Sequence, residues 1–134
     1  MADTPDDRFA KGMETLARAF PLGSAAMPQF RYPPEIEQDW GRFSVSTTLG
    51  DVWSRPGLDL KQRAIVAIAA LVALDKPGPL KSYILAGLKQ GLSRSEVCEI
   101  IFQMGIYAGF PAAIVAFGHA REIFEQLDRP SGSA

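Results

Sequence analysis

Arg55 stands between Trp53 and Pro56 in the stretch GDVWSRPGL (50–58). A guanidinium can clamp a carboxylate through two parallel hydrogen bonds, so a small organic acid is the natural ligand for it. The plainer use of a loop arginine is a surface ion pair. Trp53 beside it suits the wall of an apolar pocket, or simply the core. Tyr83 shares one helical stripe with Leu80, Ile84 and Gly87. A phenol donates and accepts hydrogen bonds and can serve as an acid. The glycine one turn later leaves space above the ring, for a ligand or for a close helix crossing. The alternative is a core tyrosine whose hydroxyl is tied to a carbonyl. His119, in AFGHARE, is the sole imidazole of the chain; it suits proton transfer, or a surface or interface role. Arg63 lies one turn into a helix, where a cation mildly opposes the macrodipole. That calls for a partner, either an acidic side chain or a substrate carboxylate. Asp51 can orient Arg55, but capping a turn is the expectation.

The chain holds one Cys and one His, too few for an ordinary zinc or CxxC site. Cys98 has no second thiol to pair with, so it reads as a small buried hydrophobe and points to a reducing compartment. The 14 basic and 15 acidic residues give a net charge of −1, which argues against a nucleic-acid surface. The N-terminal MADTPDDRFAKGM lacks a signal peptide's apolar core. The longest apolar run, Ala64 to Leu74, is eleven residues, against about 20 for a membrane-spanning helix. The expectation is a cytoplasmic protein with no membrane and no nucleic-acid partner.

Those residues must be positioned by helices. At 134 residues with 47% hydrophobic and 22% charged, the chain has the size and composition of one globular domain. Phe9, Met13, Leu16 and Phe20 recur at steps of three and four, predicting an amphipathic helix over 5–20. PLGSAAMPQFRYPP (21–34), with four prolines, reads as an extended connector. Pro34, Glu35 and Glu37 suit the start of a helix from about 34 to 49, with Trp40 and Phe43 on its buried face. Residues 50–58 read as a structured loop or broken turn. Asp59 with Gln62, and Ser93 with Glu96, form capping boxes that open two further helices. The first is apolar on nearly every side from Ala64 to Leu74, so neighbours or another subunit must enclose it. KPGP (76–79) starts a helix at Pro79 that ends near Gly91. Gly109-Phe110-Pro111 breaks the chain before a last helix, 111–127, with Ile114, Phe117, Ile123, Phe124 and Leu127 facing inward. RPSGSA reads as a frayed tail. The sum is an all-α domain of about six helices, arranged as an N-terminal helix and connector (1–33), a main domain (34–127) and a tail (128–134).

Read together, GDVWSRPGL, the Arg63 helix and GLKQGLSRSEVCEIIFQMGIYAGFPAA (87–113) resemble the carboxymuconolactone decarboxylase family over about residues 35–127. The resemblance implies an alkylhydroperoxidase D-like bundle around a helical hairpin, assembled as a homotrimer or homohexamer. It also implies a small site between helices near a subunit boundary. The best-known members remove CO2 from a carboxylated muconolactone without metal or organic cofactor. Their Glu and His, four residues apart, fall on Pro79 and Tyr83 here. A further family His falls on Gly118, one position before His119, and one step turns a side chain about 100° around a helix. The corner holding Tyr107 and Pro111 lies beside the family's site, although a plain helix–helix corner explains the same residues. The related peroxidase branch needs two thiols, which Cys98 alone cannot supply.

The expected function is therefore a cofactor-independent lyase, a decarboxylase of a small carboxylated lactone or ring acid in aromatic-compound metabolism. Tyr83, Arg55 and His119 are the catalytic candidates, with Trp53, Arg63, Tyr107 and Pro111 around the substrate. Two other readings stand beside it: a proton-transfer isomerisation or cyclisation without CO2 loss, and a non-catalytic oligomeric binding protein.

Overall fold

Three helix starts are fixed by reciprocal capping. Thr4 with Asp7, Asp59 with Gln62, and Ser93 with Glu96 each exchange side-chain and backbone hydrogen bonds, satisfying donors that a helix N-terminus otherwise leaves free. They open α1 (Pro5–Ala19), α3 (Leu60–Leu74) and α5 (Arg94–Tyr107). Prolines in the first turn begin the other three, α2 (Pro34–Ser44), α4 (Pro77–Lys89) and α6 (Phe110–Asp128), where a missing N–H costs no hydrogen bond. In this computed structural model residues 3–130 are described, and they contain helices and no strand. The tail expected at 128–134 therefore lies mostly outside the described residues.

α2 does not end in a loop. It runs on without a break into a π-helical segment, Val45–Trp53, where residues 50–58 were expected to form a loop or broken turn. The π segment buries Ser46, Leu49, Gly50 and Trp53, and so carries Trp53 into the core while Asp51 and Val52 stay outside. α1 crosses this segment at backbone contact. A Cβ added to Gly50 would sit 2.5 Å from the Arg8 carbonyl oxygen, and one added to Gly12 would sit 2.5 Å from that of Val45. Only glycine allows so close a crossing. Arg8 with Asp51 and Arg42 with Asp6 form ion pairs on its flanks. Asp51 thus neither caps a turn nor orients Arg55, and the Arg8 guanidinium holds its carboxyl below the usual range.

The α3–α6 bundle encloses one apolar core built on Ile68, Val72, Ile84, Leu85, Ile101 and Ile123. A second, smaller core joins Phe20 at the end of α1 to Leu49, Trp53, Ala64 and Ala86. Tyr83 packs against both. The end of α1 is also tied to the end of α4. Lys89 Nζ donates to the carbonyls of Ala17 and Phe20 at 2.6 and 3.0 Å, and Gln90 Nε2 donates to that of Arg18 at 2.8 Å.

Several apolar faces expected to be buried are not. Trp40 and Phe43 are exposed, Phe43 by 60%, and α2 buries no residue. Trp40 packs instead on Tyr32 and Phe43 at the surface, with ring centroids 6.4 and 6.1 Å away. On α6, Ile123 is fully buried and Phe124 packs on the core, but Ile114, Phe117 and Leu127 face out. On α1, Met13 is exposed; on α3, Val66 and Leu74 are. Cys98 is only half-buried. Periodicity defines an apolar face, but a face has no partner until the tertiary contacts supply one.

Candidate functional site

A cavity of about 340 Å³ opens where α1 meets the turn after Trp53. That lies within the size of small-ligand sites, about 300–1,000 Å³. One wall consists of Trp53, Arg55, Pro56 and Leu60; the other is Lys11, Glu14, Thr15 and Arg18 of α1. The turn is held in shape by Arg63, whose Nη2 donates to the Arg55 carbonyl at 2.9 Å. Arg63 therefore has a partner of neither expected kind, and it acts on the loop that presents Arg55. Its Nε is buried with no hydrogen-bond partner among the described residues.

Behind the Trp53 indole lies Tyr83. Their ring centroids are 5.5 Å apart, and Phe20 closes the trio, 5.2 Å from Tyr83 and 6.1 Å from Trp53. Burial raises the phenol's pKa above its ordinary value, because an apolar surround disfavours the phenolate. Tyr83 is thus a neutral hydrogen-bond donor across the physiological range. It shares a ring contact with the cavity wall but is not among the residues that line the cavity.

The other expected site residues lie elsewhere. His119 borders a crevice of about 10 Å³ with Leu80 and Val115. Its Nδ1 is buried without a hydrogen bond and lies 3.8 Å from Glu122, a carboxylate that Lys81 already engages. Tyr107 is 77% exposed at the end of α5, and Pro111 is exposed in the first turn of α6. Between them, Gly109 takes φ 99°, a backbone state that favours glycine and lets the chain reverse there. Beside this corner runs a trough of about 480 Å³ lined by Phe102, Ile106, Phe110, Ile114 and Phe117 over Gly105 and Ala113. Of the expected residues, then, Arg55, Trp53 and Arg63 converge on one place, with Tyr83 behind them. Among the described residues no group of three or more His, Cys, Asp or Glu is placed to hold a metal ion.

The α1 wall was missed in the sequence. Lys11, Glu14, Thr15 and Arg18 follow helical i, i+3, i+4, i+7 spacing and so share one face. Such a polar stripe is ordinarily a solvated surface. The available signal was Thr15, which proves to be buried, its hydroxyl donating to the Lys11 carbonyl at 2.9 Å.

The all-α bundle fits the alkylhydroperoxidase D-like fold. Within that class, the carboxymuconolactone decarboxylase family matches residues 38–122, and the chain belongs to that family. It is 37% identical over 93 residues to a 4-carboxymuconolactone decarboxylase of Acinetobacter baylyi, covering 69% of each chain. It is 30% identical over 91 residues to a nitrosuccinic acid decarboxylase of Metarhizium robertsii, covering 68% of this chain and 59% of that one. An uncharacterised 15.0 kDa protein of Paracoccus denitrificans is 33% identical over 82 residues, 59% of this chain and 60% of that protein. The family match begins after α1, so the α1 wall of the cavity lies outside it.

Proposed function

We propose that this protein is a cofactor-independent lyase that removes CO2 from a small carboxylated lactone or ring acid in aromatic-compound metabolism. The observation that carries the reading is the cavity in which Arg55 and Trp53 stand side by side, in a chain whose relatives include two proteins named decarboxylases. Arg55 holds the substrate's carboxylates through charge-assisted hydrogen bonds. The indole of Trp53 gives the ring an apolar face to lie against. When the bond to the departing carboxylate breaks, its electron pair enters the conjugated carbonyl as a dienolate and CO2 leaves. The enolate oxygen needs a donor and its carbon needs a proton. Tyr83, kept protonated by burial, supplies both, and the phenolate takes a proton back from solvent. This role requires the cavity to extend past the Trp53 indole once a ligand is bound. His119, on its separate crevice, then takes no part in proton transfer.

We further propose a homotrimer or homohexamer assembled through the apolar trough of α5 and α6, and a cytoplasmic location. Phe102, Ile106 and Phe110 are each at least 70% exposed, and a contiguous apolar surface of this kind marks an interaction site.

The test is CO2 release from 4-carboxymuconolactone and related lactone acids. Wild-type protein is expected to release CO2, and Arg55→Ala and Tyr83→Phe to lose that activity while staying folded. Turnover of these acids without CO2, or tight binding with no turnover, would overturn the reading.

A further inference from the structure

Two uncovered apolar surfaces of this chain match each other in spacing and in shape. On α2, Ile36, Trp40 and Phe43 are 47, 42 and 60% exposed, at steps of four and three that put them on one helical face. Tyr32 extends the row, its ring packed on Trp40. α2 buries no residue and packs mainly on the π-helical segment into which it runs. Arg42, on a different face, ties it to α1 through Asp6 and the Phe9 ring. A helix of eleven residues is marginal in water without tertiary packing of its apolar face. On α6, Phe110, Ile114 and Phe117 repeat the steps of four and three, and with Phe102 and Ile106 of α5 they wall the trough. Each row is therefore about 10 Å long, at 1.5 Å per residue. The trough floor is Gly105 and Ala113, both buried, so small residues leave a hollow between two ridges. Trp40, central in its row, is the knob for that hollow. The two surfaces do not pack on each other within one chain.

We propose that α2 of one copy docks in the α5–α6 trough of the next, so that copies join head to tail. The inference rests on the assembly reading above and names the surface that fills the trough. A trough meeting a second trough makes an isologous contact, which pairs copies and stops. A homotrimer needs a heterologous contact, in which two different surfaces meet around a closed ring, and α2 supplies the second surface. Taking about 200 Å² for a large side chain, the exposed fractions amount to roughly 600 Å² in the trough and roughly 400 Å² on α2. One contact thus buries on the order of 1,000 Å², enough for a specific interface, and in a ring each chain takes part in two. Glu35 and Glu37 flank Ile36 and leave the centre of the row free of charge, as the core of an interface is.

The test is complementation between two variants of the full chain, read by sedimentation equilibrium over a concentration series. Wild-type protein is expected at a multiple of 14.6 kDa. Trp40→Asp removes the α2 knob and keeps the trough, whereas Phe110→Asp spoils the trough and keeps α2. Each alone should fall to 14.6 kDa. Their equimolar mixture should form a heterodimer of twice that mass and grow no further, because it holds one intact α2 and one intact trough able to meet. Phe43→Asp should behave as Trp40→Asp does, and since both residues are exposed, circular dichroism should show unchanged helix content. Trp40→Asp and Phe43→Asp variants that stay assembled while Phe110→Asp dissociates would overturn the proposal and leave the trough assembly standing. Two monomeric variants whose mixture stays monomeric would also overturn it. Wild-type protein at 14.6 kDa throughout, or a Phe110→Asp variant that stays assembled, would overturn this inference together with the assembly reading.

Discussion

Two openings among the described residues are similar in size and opposite in chemistry. The cavity between α1 and the π-helical turn holds about 340 Å³ and is lined by three cations, a carboxylate and an indole. The trough on α5 and α6 holds about 480 Å³ and is lined by aromatic, aliphatic, alanine and glycine residues. Volume does not distinguish them; what their walls can do for a ligand does. Guanidinium and ammonium groups fix a small anion's orientation through directional hydrogen bonds. A wall without donors or acceptors offers only the hydrophobic effect, which grows with area and favours a broad partner such as another protein surface. The two openings also differ in what holds them in place. The cavity is framed by a glycine-to-backbone crossing and by hydrogen bonds from Arg63, Lys89 and Gln90, whereas the trough is the outer face of two packed helices.

If the division is right, substitutions on one side should leave the other untouched. Among the residues that line the cavity, the largest expected effect is that of Arg55→Gln, a loss of roughly 10- to 100-fold in kcat/KM for CO2 release, the worth of one charge-assisted contact. Its assembly state should not change. Conversely, Phe110→Asp should dissociate the proposed oligomer with carboxylate binding preserved, read by light scattering against the 14.6 kDa monomer mass. A wild-type mass near 14.6 kDa at micromolar concentration would remove the assembly half of the comparison. Gly50→Ala, which drives a Cβ into the Arg8 carbonyl, should cost about 1–3 kcal/mol in denaturant unfolding and should loosen the cavity more than the trough.

Two smaller effects sharpen the picture. The raised pKa of Tyr83 means that the folded chain keeps the phenolic proton more tightly than the unfolded chain. The associated stability is complete below the ordinary tyrosine pKa of about 10 and is lost as pH rises through the folded value. Tyr83→Phe should flatten that alkaline decline in a pH series of unfolding midpoints. Ser93→Ala, far from either opening, should cost about 1 kcal/mol through loss of the α5 cap and leave both binding and mass unchanged.

The helices were legible where local chemistry decides them. The Asp59–Gln62 and Ser93–Glu96 boxes were read from four-residue motifs because capping depends on neighbours in sequence. α4 begins at Pro77 rather than Pro79, as either proline can occupy a first turn. The π-helical stretch was not readable. Nothing in VSTTLGDVW distinguishes a wider helical turn from a loop, and the glycine contacts with α1 that accompany it join Gly50 to Arg8 and Gly12 to Val45, residues far apart in the chain. The orientation of Trp40, Phe43, Ile114 and Phe117 failed for the related reason that an apolar stripe marks a contact surface without naming its partner. Of the candidate site, the sequence singles out Arg55 and Trp53, which line the cavity, through their motif, and Tyr83, which lies behind it, through its stripe. It does not single out Lys11 and Arg18, since a charged helix face looks the same whether it meets water or a cavity.

The central claim is that a substrate carboxylate sits between the π-helical turn and α1. A crystal structure with a bound lactone acid or dicarboxylate tests it most directly. Carboxylate oxygens about 3 Å from the Arg55 guanidinium, with the ligand ring against Trp53, are the predicted result. A ligand seated in the α5–α6 trough or beside His119, with the Arg55 cavity holding none, would contradict it.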